Sequence, residues 1–370
     1  MKKIAIIGGG IIGATTAYYL DQQQYDITLF DSPIGQATKA SAGIISPWLS
    51  KRRNKKWYAL AKDGAAFYQK LQQDLQLDAT IYQKSGALIL RPEHALDELA
   101  ELAHTRKVDA PEIGEIQRLS GQQTQAKVPI MQAVPSLFIS GGAKLDGYNY
   151  LDYLKNKLMA RGISFVNEYV TFTKKQGTWY VKTLEQTQAF DFLIVTPGPH
   201  LKKLLRLLNL QVDIRPQKGQ LLAFTTPYQT SYDWPVVMLD GEADLIPFQK
   251  GKILLGATHE NEAGWDLTPT TEAFQQLTES TQKFLKEELH FQEFPYQTQV
   301  GTRAYTSDFS PFFGPLPQDP TIVVASGLGS TGLTIGPFIG YQLANYFTDF
   351  HWSTSPYQKP LATYIQPLHS

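Results

Sequence analysis

Cysteine is absent from the 370 residues. That excludes disulfides, thiolate nucleophiles, cysteine-ligated metals and iron–sulfur clusters. It leaves the compartment open, since reducing and oxidising spaces both hold chains without cysteine. A surplus of either charge is also missing. Thirty-four Lys and Arg balance 34 Asp and Glu, and charged residues make up only 18% of the chain. This composition excludes charge-driven disorder and lacks the basic excess of a dedicated nucleic-acid binder. Metal-ligand spacings, a G-x-S-x-G elbow and a P-loop are not found either.

Uninterrupted apolar runs are scarce. Met1 to Leu20 begins with two lysines and mimics an export signal, but Gly8, Gly9, Gly10 and Gly13 break the apolar stretch and no Ala-x-Ala site follows. Pro320 to Thr348 carries no charge and is long enough to span a bilayer. Its five glycines and its Ser, Thr, Gln and Asn residues suit a buried strand, a glycine loop and a helix instead. The expectation is a cytoplasmic protein with no transmembrane segment and no nucleic-acid partner.

Hydrophobic residues, at 42%, are enough for a sizeable core, and the length suggests about two domains at ~150 residues each. Lys2 to Ile7 reads as a buried parallel strand, followed by three glycines and a helix through Leu20; Ile27 to Phe30 reads as the next strand. Residues 57 to 76 carry one apolar helical face, and Lys155 to Arg161 closes another helix. Runs at 164–173, 178–184 and 190–195 read as strands, the first two joined at Gln176-Gly177. Residues 218 to 258 are strand-rich, 271 to 288 helical, and Ile322 to Ala325 returns to the buried-strand pattern. Dinucleotide-type strands thus lie at both ends with antiparallel-looking material between, which suggests interleaved domains.

Gly8-x-Gly10-x-x-Gly13 lies where a strand meets a helix. There Gly8 makes the turn, Gly10 lets the backbone approach a pyrophosphate, and Gly13 lets the helix pack on the strand. Free N–H groups at Ile11 and Ile12, with the helix dipole, favour phosphate. Asp31 ends the second strand 18 residues after Gly13, where a carboxylate can accept from ribose hydroxyls. On these residues alone NAD and FAD both remain open.

The segment from Asp31 and Ser32 through Thr38 to Ser41-Ala42-Gly43 resembles the second FAD segment of the D-amino acid oxidase/glycine oxidase (DAO) family. Gly301-Thr-Arg303 through Asp308, Pro311 and Gly314-Pro-Leu-Pro resembles that family's G-x-R-P…D-x-x-P-x-I-G-x-x-P segment, with Ala304 where a proline often stands. Ala325-Ser-Gly327-Leu-Gly329-Ser-Thr-Gly332 resembles its closing flavin loop, and Lys218-Gly219-Gln220 and Gly256-Ala-Thr-His259 also have counterparts. The likeness spans essentially the whole chain and extends to bacterial glycine oxidase and D-amino acid dehydrogenase.

The resemblance implies an α+β / α/β fold, a Rossmann-like FAD-binding domain (residues 1–85, 145–215 and 300–370) interleaved with an antiparallel-sheet substrate domain (86–144 and 216–299). It implies FAD as cofactor. Without cysteine, attachment of the flavin through sulfur is excluded, while attachment through histidine stays open. By family position Arg303 binds the substrate carboxylate, a role suited to a planar donor fork. Ser330, Thr331, Gly332, Leu333 and Thr334 are cofactor contacts, Ser330 also reaching toward substrate. Gly327 to Gly332 is literally a second GxGxxG, but only about one helix fits before Asp349, too little for a second dinucleotide unit. The helix after it would instead stabilise negative charge on the pyrimidine side of a reduced flavin. Thr196 and Gly198 are carried over from a turn in which Pro197 departs from the family pattern, and Val170 from the strand near the adenine.

His259 sits past a strand in the central region, a candidate wall of the active site, though hydride transfer from the α-carbon requires no dedicated base. The basic run Lys51 to Lys56 reads as a solvated loop and helix start; a rim that steers anionic substrates is the alternative. The implied activity is oxidation of the C–N bond of glycine or a D-amino acid by hydride transfer to flavin N5. It gives an imine that hydrolyses to the oxo acid, with oxygen or an electron carrier as acceptor. A sarcosine oxidase-like N-demethylating enzyme, an NAD-dependent dehydrogenase and a non-catalytic flavin-binding protein are the rival readings.

Overall fold

Six of the seven residues that open the chain, Lys2–Ile7, form a strand whose last four side chains are buried. A computed structural model describes every residue except Pro33, Glu242, Thr354, Ser355, His369 and Ser370. Lys2–Ile7 runs parallel to Tyr25–Phe30 on one side and to Phe192–Val195 on the other. Ser164–Val166 extends the sheet at one edge; Asp319–Ser326 and then the antiparallel Phe312–Leu316 extend it at the other. A strand buried on both faces needs apolar residues at successive positions, as the KKIAII and FLIV runs provide.

The uncharged stretch near the C-terminus becomes the strand Asp319–Ser326 and the helix Gly332–Asp349. Its glycines serve packing between helices. A Cβ at Gly336 would fall 2.5 Å from the Ile11 side chain, and one at Gly340 2.8 Å from the Ile12 carbonyl oxygen. The helix Ile11–Tyr19 can therefore lie directly on Gly332–Asp349. Among the described residues no helix is long and apolar enough to cross a membrane.

An eight-stranded sheet takes the middle of the chain. Its order is Tyr296–Tyr305, Arg215–Thr225, Lys252–Gly256, Asp244–Pro247, Val236–Met238, Ala87–Ile89, Ser136–Ile139 and Ile116–Leu119. The pairs are antiparallel except Val236–Met238 with Ala87–Ile89. The architecture is the expected mixture of a mainly parallel sheet with helices and a mainly antiparallel sheet.

Three expectations are corrected. The run 164–173 is two strands: Ser164–Val166 joins the parallel sheet, while Thr171–Lys175 starts a three-stranded meander with Thr178–Lys182 and Thr187–Phe190. The run 190–195 divides at Asp191, whose N–H donates to the Lys3 carbonyl and whose carboxylate accepts from the Lys3 N–H. Both runs are continuous in hydrophobic pattern, and only partner strands divide them. The helix expected over 271–288 ends at Gln282, because the chain then turns so that the Lys286 N–H reaches the Ile130 carbonyl.

Candidate active site

A cavity of about 900 Å³ opens between the glycine loops of the parallel sheet and one face of the eight-stranded sheet. Every site residue singled out from the sequence lines it except Gly13. Gly13 has a packing task, since a Cβ there would sit 2.0 Å from the Gly8 carbonyl oxygen. Gly8 itself has φ +105°, and a Cβ would meet the Thr196 carbonyl oxygen at 2.5 Å, while the Thr196 hydroxyl donates to the Gly8 carbonyl. The first turn and the strand Phe192–Val195 are thereby locked together.

Gly10 differs. A Cβ there would meet only Thr38 Oγ1, at 3.5 Å, so protein packing does not require glycine. A side chain at 10 would occupy the cavity instead. The same holds at Gly332, where the nearest atom would be Leu328 Cβ at 3.8 Å. Both glycines mark helix starts whose N-cap side chains make no capping bond. Thr38 Oγ1 accepts from the Ile11 N–H, and the Ser41 hydroxyl donates to the Thr38 carbonyl, ordering the loop through Ala42 and Gly43 beside the helix.

Asp31 accepts from the Gly9 N–H at 2.9 Å and from Gln36. Burial pushes its carboxyl upward against those hydrogen bonds. Ser32 adjoins it, while Val170, Gly198, Gly327 and Gly329 form other parts of the wall. Gly198 has φ +58° and nothing within 4 Å of a built Cβ. The Ile11 N–H expected to be free is thus taken by Thr38, while a cleft bearing two helix N-termini, an acid at the end of the second strand and clearance above two glycines fits a dinucleotide that carries a second ring system.

The opposite wall is supplied by the eight-stranded sheet. Arg303 lies on Tyr296–Tyr305, its guanidinium directly over Gly219, where a Cβ would be 2.6 Å from Cζ. One terminal nitrogen donates to Gln217 Oε1 (3.0 Å) and to the Thr258 carbonyl (2.9 Å). Among the described residues no carboxylate lies within 4.0 Å of it. Burial lowers its affinity for the proton, opposed by Tyr305 and Glu260. Glu260 is engaged elsewhere, accepting from Gln220 and Thr258 and lying 3.6 Å from Lys218. Arg303 is thus a held cation with donors to spare. Ser330 is exposed to the cavity, its N–H donating to the Tyr305 hydroxyl, and His259 is exposed at the rim.

The profile of the DAO family, described as FAD dependent oxidoreductase, matches residues 3–346. The chain belongs to the DAO family of FAD-dependent oxidoreductases. The oxidoreductase YurR of Bacillus subtilis strain 168 is 37% identical over 351 residues, covering 93% of this chain and 94% of that protein. Glycine oxidase of Pseudomonas putida is 26% identical, with 97% of each chain covered. Among solved structures, iminodiacetate oxidase from Chelativorans sp. BNC1 superposes with a TM-score of 0.89 at 29% identity over 98% of both chains. The DAO cofactor is FAD, and the glycine clearances fit it.

Sequence reasoning passed over Arg91 and Asp244, which also line the cavity. The signal for Asp244 was an acid opening an otherwise apolar strand, DLIP. Of the basic run, Arg52 lines the cavity and stacks over Trp57 at 4.7 Å. Its neighbours form the expected exposed loop and helix start, Asn54 capping Lys55–Leu75 by accepting from the Trp57 N–H. The second GxGxxG leads into a single helix, as its spacing required.

Proposed function

We propose that this DAO-family protein oxidises the C–N bond of a small carboxylate-bearing amine, glycine or a D-amino acid, to an imine that water hydrolyses to the oxo acid. The carrying observation is Arg303, a half-buried cation fixed by Gln217 and Thr258 with no carboxylate partner within 4.0 Å among the described residues. A substrate carboxylate would complete it through charge-assisted hydrogen bonds. Glycine and iminodiacetate, which name two of the similar proteins, are both amines bearing carboxylates. That likeness supports this class, and it keeps secondary amines, including sarcosine-type N-demethylation, as the second reading.

FAD supplies the hydride acceptor when bound. The fingerprint residues Gly8, Gly10, Ile11, Ile12, Asp31 and Thr38 would hold its adenylate half. Gly43, Gly332, Leu333 and Thr334 would hold its flavin half, with the helix Gly332–Asp349 directing its positive end toward the pyrimidine edge. Arg303 would orient the substrate so that its α-carbon faces the cofactor, and Ser330 would border the same space. In this reading the parallel-sheet segments 1–85, 145–215 and 300–370 form the FAD domain and segments 86–144 and 216–299 the substrate domain. Arg303 projects from the strand that crosses between them.

The test is an anaerobic visible spectrum of the purified holoprotein before and after adding glycine, sarcosine, iminodiacetate or a D-amino acid. Bleaching of the flavin bands by one class establishes the chemistry. Formaldehyde release with sarcosine selects the demethylating reading. A yellow protein that no amine bleaches overturns the proposal.

A further inference from the structure

Among the described residues, the sheet wall opposite the glycine loops holds one acid, Asp244. Register places Leu221, Gly256, Asp244 and Met238 in one row across four adjacent strands. The Arg303 guanidinium stands over Gly219, on the strand that carries Leu221. Asp244 is two strands and two residue positions farther along, about 12 Å between backbones at the usual strand and residue spacings. Between the two strands lies Gly256, which lines the cavity and has the Leu221 side chain packed over it. Among the described residues of this sheet that line the cavity, Asp244 is the one carboxylate.

A carboxylate half-buried in this wall is stabilised by a cation or a proton. Among the described residues no Lys or Arg nitrogen lies within 4.0 Å of Asp244. Arg91 is the nearby candidate, but it is committed elsewhere. One terminal nitrogen donates to the carbonyls of Leu90, Met238 and Leu239, and Nε faces Asp240 at 3.6 Å. The other charged or titratable groups on this wall are His259, beyond the strand Lys252–Gly256, and Arg303. Burial raises the Asp244 carboxyl to about 7, with Arg91 and the Leu239 N–H opposing the rise.

Resting on the reading of the site as an amino-acid oxidase, we propose that Asp244 binds the substrate's amino group and takes its proton, opposite the carboxylate held by Arg303. An α-amino acid with a hydrogen bond of about 2.9 Å at each end spans roughly 9 Å, a length that two side chains reaching inward from backbones about 12 Å apart can hold at both ends. The step balances: the ammonium N–H bond breaks, the proton passes to an Asp244 oxygen, and a neutral amine faces a neutral carboxylic acid. An amine must reach this free-base state before its α-carbon can give up a hydride. A carboxylate in its basic form near neutral pH is suited to accept that proton. Asp244 also gives the site its selectivity: it attracts an ammonium, whereas a 2-hydroxy acid brings no charge to it.

The experiment uses FAD-loaded wild type and Asp244→Asn. The substrate is whichever of glycine, sarcosine, iminodiacetate or D-alanine bleaches the flavin fastest, and acetate serves as the amine-free probe. The expected result is a loss of about 30- to 100-fold in kcat/KM for the amine, the scale of one charged hydrogen bond. Acetate affinity, followed by perturbation of the flavin spectrum, should change less than threefold. The rise of kcat/KM through the Asp244 ionisation in wild type should vanish in the variant. Equal amine kinetics and an unchanged pH profile in the two proteins would overturn the assignment while leaving the amino-acid oxidase reading intact. A wild type that no amine reduces would overturn both. Should Asp244→Asn fail to retain FAD, wild type still decides. Its affinity for the amine must strengthen relative to acetate as Asp244 ionises, and a constant ratio across that range refutes the assignment.

Discussion

Replacing Arg303 by alanine tests the site most directly. The guanidinium has a nitrogen engaged by Gln217 and the Thr258 carbonyl, which leaves its other donors for a ligand. A charge-assisted hydrogen bond contributes about 1.5–3 kcal/mol, so losing one or two removes roughly 3 kcal/mol of binding to the reacting complex. That corresponds to a drop of about 100-fold in kcat/KM, with KM raised because the carboxylate is bound before reaction. Arg303→Lys should fall between the two, since an ammonium keeps the charge but lacks the planar fork. The proposed FAD contacts lie on other residues, so both variants should purify with full flavin content. Anaerobic stopped-flow reduction across substrate concentrations separates binding from the reductive step. An Arg303→Ala holoprotein whose kcat/KM stays within threefold of wild type would refute the carboxylate role.

The two fingerprint glycines should fail in different ways. Gly10→Ala should leave the melting temperature of the FAD-free protein unchanged and weaken FAD at least tenfold, because its Cβ adds bulk at the cavity wall where the proposed site holds FAD. Gly13→Ala should lower that melting temperature, since its Cβ would strike the Gly8 carbonyl; equal melting of the two variants would contradict this division. Lys144 is 2% exposed, with its ammonium on the Tyr232 and Trp234 carbonyls and burial pushing it down to about 7. Between about pH 7 and its ordinary value of 10.5 the unfolded chain binds more protons, so this group makes folding more favourable as pH rises. Denaturation of Lys144→Met against wild type should therefore show wild type gaining relative stability, by a few kcal/mol at most, from pH 7 toward 10. A constant difference would refute the burial argument. If the basic loop steers anionic substrates, Lys51→Gln with Arg53→Gln should slow association more at low salt than at high salt. Equal slowing at both would leave it a solvated loop.

The local features were legible because local chemistry specifies them. A run of apolar residues, glycines where backbones touch and an acid at a strand end identified Lys2–Ile7, the first helix and Asp31 before any partner was known. Single residues at close contacts carry this information directly. The second glycine motif leads into the helix Gly332–Asp349, as its local pattern indicated.

Pairing was not legible. The breaks at Val166 and Asp191 fall inside continuous strand-like sequence, and only the neighbouring strands decide them. The shortened helix at Gln282 likewise depends on Ile130, more than 100 positions away in the chain. Asp244 shows the limit most clearly. In sequence it is one acid among the Asp and Glu residues that balance the basic ones. What distinguishes it is the register that sets it on the cavity wall two strands from the one over which the Arg303 guanidinium stands. Sequence by itself determined the family and, with it, FAD as the cofactor, because those rest on contiguous motifs. Which charges face one another across the cavity was decided by tertiary structure alone, because opposition across a sheet comes from strand order and register, which no single segment contains.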